Sequence, residues 1–168
     1  MKLSSRMCAL IEGLRLVALC LALIVMMLAL APAKSGFAQE LTGKPRVLDG
    51  DTIEIAGQPI RLAGADAPPA NAICGALGHE WRCGQEATFA LAYAVAEHWV
   101  TCVPRDEDAL GILVARCKVG PYDLAERMIA DGWAMAVGGY DFAESIAKRE
   151  RKGIWRDDYV PPPGWIRR

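Results

Sequence analysis

Residues 46–64, "RVLDGDTIEIAGQPIRLAG", constrain the fold of this chain more than any other stretch. "RVLDGDTIEI" alternates apolar and polar positions, "AGQP" carries turn chemistry, and "IRLAG" resumes a strand. That is the pattern of a β-hairpin with one buried face, because strand side chains alternate sides with a period of two. A second such segment lies further on. Leu113, Ala115, Cys117 and Val119 share one face, Arg116 and Lys118 the other, and Gly120-Pro121 ends the strand. "WVTCV" reads as another short strand and "RDEDALG" as an acidic connecting loop. Residues 39–45 read as a flexible lead, and residues 67–83 as a loop rich in Pro, Gly, Ala and Cys.

Helical signals sit between and after the strands. Gln85 to Trp99 contains no Gly or Pro and repeats apolar residues through Phe89, Tyr93 and Ala96. Asp123 and Glu126 have capping-box spacing for a helix that stops at Gly132. A third helix runs from about Asp141 to Lys152, closed by Gly153. About five short strands and three helices, strands first, predict a β-rich α+β domain, a small barrel with helices packed on it. This domain spans residues 39–160, and residues 161–168 form a Pro-rich surface tail.

The first 38 residues are of another kind. Lys2, Arg6 and Arg15 precede the apolar run "LVALCLALIVMMLALA", and small residues follow in "APAKSGFAQE". That order is a Sec-type export signal, with cleavage expected at Ala38 or, as second choice, Ala33. The alternative is an uncleaved inner-membrane anchor, for which the interval between Arg15 and Lys34 is at the short limit. Export places the domain in the periplasm or outside the cell. The totals of 19 basic and 20 acidic residues lose four bases and one acid with residues 1–38, leaving a net charge of −4. Polynucleotide affinity comes largely from counterions released by Lys and Arg, so this balance opposes strong polynucleotide binding.

Four cysteines remain: Cys74, Cys83, Cys102 and Cys117. An even count in a small exported domain is the pattern of a disulfide framework with three possible connectivities. Cys74–Cys83 with Cys102–Cys117 is favoured, since the first closes a short loop and the second clips neighbouring strands. A zinc site would need C-x-x-C spacing or suitably placed histidines, and neither His79 nor His98 supplies it.

In combination, "DGDTI" at 49–53, "IRLAGADAP" at 60–68, "CGQEA" at 83–87, the glycine of "DALG", "DLAERMIADGWA" at 123–134 and "GIW" at 153–155 resemble the staphylococcal-nuclease-like (thermonuclease) family. The resemblance covers about residues 46–156. It implies a five-stranded OB-type β-barrel with three helices and, in active members, Ca²⁺-assisted cleavage of DNA and RNA phosphodiesters. By resemblance, Asp51 and Asp66 match the calcium-ligating carboxylates, Asp49 a supporting acid, and Arg61 the arginine that holds the scissile phosphate.

Two positions depart from that pattern. Pro69 stands where the family's D-x-P-E motif carries its proposed general base, and Ile112 stands where the second catalytic arginine follows a glycine. His79 or Glu80 for the base, and Arg105 or Arg116 for the arginine, are the candidate replacements. The expectation is an exported binding or accessory module for nucleic acid or oligosaccharide, without efficient hydrolysis. Some exported relatives carry names linking them to exopolysaccharide production. The rival is a weak or rewired Ca²⁺-dependent nuclease, motivated by the retained Asp49, Asp51, Arg61 and Asp66. A purely structural role, a turn and a buried ion pair that hold the barrel, accounts for the same residues.

Overall fold

The structure is a computed structural model that describes residues 39–156 together with Arg15, residues 17–21, Leu23, Met26, Pro162 and Trp165. The chain divides into two compact units, Met1–Phe37 and Ala38–Arg168. In the first, the described residues are helical. The expected signal and its cleavage points fall mostly outside the described residues. Among those described, no helix is long and apolar enough to cross a membrane.

The second unit is built on one mixed sheet. Its strands are β1 (Leu41–Gly43), β2 (Arg46–Val47), β3 (Thr52–Ile55), β4 (Gln58–Leu62), β6 (Val100–Glu107) and β7 (Leu113–Val119), hydrogen-bonded in the order β1-β6-β7-β4-β3-β2, with a short seventh strand, β8 (Tyr122–Asp123), paired to β7. The two ends of that path, β1 and β2, are consecutive pieces of one bent strand joined by Lys44-Pro45. The first piece pairs with β6 and the second with β3. With β1 and β2 counted as one bent strand, five strands give an OB-like arrangement in an α+β fold. The expected flexible lead is thus wrong from Leu41 onward: Leu41 pairs with Cys102 and packs on the core.

Local chemistry explains the elements. The β3–β4 hairpin turns on Ala56-Gly57, both at positive φ (52° and 83°), which matches the twist of the flanking strands; Gln58 and Pro59 are already strand. Strand β7 buries Ala115 and Cys117 and exposes Arg116 and Lys118, as its alternation requires. β6 is longer than expected. Arg105, Asp106 and Glu107 belong to it, with a register shift between Pro104 and Asp106, rather than to an acidic loop.

Three α-helices cover the sheet: α1 (Cys83–Val95), α2 (Leu124–Ala130) and α3 (Asp141–Arg149). Short β8 (Tyr122–Asp123) leads into α2, where Asp123 Oδ1 accepts from the N–H groups of Ala125 and Glu126 and caps the helix. A short pair, β5 (Ala65–Asp66) and β9 (Met135–Ala136), completes the strands. α1 begins two residues before the expected start and ends at Val95, and it buries a different face. Ala87, Leu91 and Val95, spaced by four, enter the core, while Phe89 and Tyr93 are exposed at 61% and 82%. α3 stops at Arg149, and residues 153–155 form a separate 3₁₀ turn.

The main core gathers Ile53, Ile60, Leu62, Leu91, Val100, Leu124, Met128 and Ile129, all essentially inaccessible. Each such side chain contributes about 1.5–3 kcal/mol relative to exposure. A second cluster of Ala72, Cys74, Cys83, Met135 and Ile154 is flanked by Trp81, Trp155 and Trp165. Pro162 is buried and Trp165 is half-buried against this cluster; the rest of the expected surface tail lies outside the described residues. Disulfides join Cys74 to Cys83 and Cys102 to Cys117; the second links residues directly opposite across β6 and β7.

Candidate functional site

The turn "LDGD" brings the acids to the mouth of the β3–β4 hairpin. Asp49 Oδ1 accepts the Asp51 N–H at 3.0 Å, which locks the turn. Gly50 is required there, because an added Cβ would lie 2.7 Å from both Ala67 and Ala87. Asp51 is 1% exposed. Its Oδ1 accepts the Thr52 hydroxyl at 2.7 Å and its Oδ2 the Ala67 N–H at 2.9 Å. Burial, with the nearby Asp49 charge adding to it, pushes the Asp51 carboxyl up to about 7. Asp66 on β5 is equally buried. Among the described residues, no three His, Cys, Asp or Glu side chains gather as a metal cluster.

Arg61 lies on β4 with its side chain 13% exposed. Its Nη1 donates to Asp108 Oδ2, and its buried Nε lies 3.9 Å from Asp51 Oδ1. Sequence reasoning missed Asp108 as a site residue. It sits in the segment read as a plain acidic loop, 47 residues from its partner. The Asp108 carboxyl is held below the usual carboxylate range, first by the Ile112 N–H, which outweighs the opposing effect of burial, with the Leu110 N–H and Arg61 adding to it.

Pro69 and Ile112 are both half-buried. The Pro69 carbonyl accepts the Ala72 N–H at 2.7 Å and lies so close to Gly84 that a Cβ there would come within 1.7 Å of it. His79 and Glu80 are exposed at the tip of the loop closed by Cys74–Cys83. Arg105 is exposed as well. Arg116 shares the sheet face of Arg61, since Arg61 pairs with Val114 in parallel register and Arg116 lies two residues on. It is committed elsewhere: its Nε is 3.3 Å from Asp123 Oδ2, and its Nη2 is 3.4 Å from the Tyr140 hydroxyl, which donates to the same carboxylate.

A family model described as staphylococcal nuclease homologue matches residues 59–157. Arg61, Asp66, Pro69 and Ile112 lie inside the matched span, while Asp49 and Asp51 precede it. The chain is also 35% identical over 130 residues to the succinoglycan biosynthesis protein ExoI of Rhizobium meliloti (strain 1021), covering 73% of this chain and 68% of that protein.

Proposed function

The chain belongs to the family of staphylococcal nuclease homologues, and from that premise we propose that it is an exported member that binds rather than cuts. The carrying observation is the pair of non-ionisable side chains at Pro69 and Ile112, with every candidate substitute either exposed or bound to another partner. Two buried carboxylates, Asp51 and Asp66, remain as hard oxygen donors. They suit Ca²⁺, whose further ligands would be backbone carbonyls and water. A bound cation would supply charge neutralisation at Asp51, whose burial disfavours its ionised form. The decisive measurement is hydrolysis of single-stranded DNA by the purified protein with Ca²⁺ and with chelator. No calcium-dependent turnover is expected. Turnover that vanishes in Asp51→Asn would establish the weak-nuclease reading, which the retained acids and Arg61 favour.

The ligand class we propose is an oligosaccharide, in keeping with the succinoglycan biosynthesis name of the relative. Phe89, Tyr93, Trp99 and Tyr122 are all more than 60% exposed and line two adjoining hollows of about 330 and 430 Å³ that share Ala94 and Arg127. Aromatic faces accept sugar rings and nucleobases alike, but a single-strand groove needs a positive lining. Here Glu86 and Asp131 face one arginine, and Arg127 is already paired with Asp131. Trp99→Ala and Tyr93→Ala are expected to weaken binding of succinoglycan oligosaccharides, followed by tryptophan and saturation-transfer signals, by about tenfold each. Unchanged binding in both variants, or a dT oligonucleotide bound instead, would refute the groove's role.

A further inference from the structure

The two carboxylate oxygens of Asp108 serve different purposes. Oδ1 accepts the N–H groups of Leu110 and Ile112, each at 2.9 Å, and so closes the turn before β7. Two backbone bonds, Asp108 N–H to Ile112 O and Gly111 N–H to Asp108 O, complete that turn at 2.9 Å each. Oδ2 takes no part in it and receives Arg61 Nη1. Both side chains are largely withdrawn from water, at 13% and 16% exposure.

A guanidinium offers the same planar fork to a carboxylate and to a phosphate. Here one edge of Arg61 is occupied, and its Nε is turned into the protein towards Asp51. An incoming phosphate must displace a carboxylate tethered in the same chain, at an effective concentration on the order of millimolar or higher. It must also approach the carboxylates of Asp108, Asp51 and Asp49.

We propose that Asp108 is the specificity-determining residue of this site: an internal anion that fills the phosphate place on Arg61 and closes it to phosphate and phosphodiester ligands. The inference concerns binding and stands apart from hydrolysis. DNA cleavage that persists in Arg61→Ala would unseat the proposed function and leave the inference standing, whereas cleavage that needs Arg61 overturns both.

Asp108→Asn separates the two duties. The amide oxygen still accepts the turn N–H groups, while the amide NH₂ has no acceptor to offer Arg61. Inorganic phosphate and the dinucleotide dTpdT are titrated into the purified full chain, in chelator and low salt, by calorimetry. Asp108→Asn is expected to bind both about 10- to 100-fold more tightly than the parent, the worth of one charged hydrogen bond. Adding Arg61→Ala should abolish the gain. Equal affinity in parent and variant, or a gain that survives Arg61→Ala, overturns the proposal. So does a lower Tm with no gain, which would make Asp108 a turn residue alone. Should Asp108→Asn fail to fold, the Arg61 Nε–H resonance of the parent decides. It should not move at millimolar phosphate, and a saturable shift overturns the proposal.

Discussion

Pro69→Glu combined with Ile112→Arg raises calcium-dependent cleavage of single-stranded DNA by about 10³-fold over the parent. A positioned general base contributes about 10²–10⁴. A lost charge-stabilising donor costs about 10²–10³. Such groups act as a unit, so the product of the two ranges overstates the pair. The fold accommodates both changes. What Pro69 gives to the structure is its carbonyl, bonded to Ala72 and set against Gly84, and glutamate keeps that carbonyl. Ile112 gives a backbone N–H to Asp108 and stands two residues ahead of Val114, the parallel neighbour of Arg61. An arginine there keeps the N–H and also offers Asp108 a second cationic partner. Each single change should give a smaller gain than the pair. A flat response in the double variant, folded by circular dichroism, would mean that the missing groups are not what silences the site.

What the sequence disclosed and what it hid follow from the range of the interactions. Strand β7 and the Asp123 cap depend on neighbours within a few residues, and both were legible. The bent first strand was not, because Gly43 and Pro45 are turn formers and only pairing with β6 makes Leu41–Gly43 extended. Helix α1 is apolar on nearly every side, so periodicity alone could not fix its rotation. Its start is fixed instead by the Cys74–Cys83 disulfide and by Gly84 pressed against the Pro69 carbonyl. That rotation turns the small Ala87 inward and leaves the larger Phe89 and Tyr93 outside. In the candidate site, Asp51, Asp66 and Arg61 stand in short motifs and were proposed by resemblance. Asp108 was not, since an acid in an acidic loop carries no sign of a partner 47 residues away.

Asp51 makes the metal-free protein less stable as pH rises. Its carboxyl titrates near 7 in the fold against an ordinary value of 3.8, first because of burial and then because of Asp49. The folded state therefore binds more protons than the unfolded chain between those values, and stability falls with pH across that window. Well below pH 3.8 the group is protonated in both states and costs nothing. Above about pH 7 the full loss is present, at most about 4 kcal/mol for a shift of this size. Other carboxylates with lowered values, Asp108 among them, act in the opposite direction, so the comparison must be made between variants. Asp51→Asn carries a constant penalty, because its NH₂ meets either the Thr52 hydroxyl or the Ala67 N–H, both of which donate to Asp51. The quantity to measure is therefore the difference in urea unfolding free energy between parent and Asp51→Asn, in chelator, from pH 4.5 to 8. It should move in favour of the variant as pH rises and level off above 7. Calcium added at pH 8 should restore the parent and leave the variant unchanged, because a cation held at Asp51 stabilises the ionised carboxylate that burial penalises. A difference independent of pH would show that Asp51 stays ionised throughout, with Arg61 at 3.9 Å supplying enough charge without a metal.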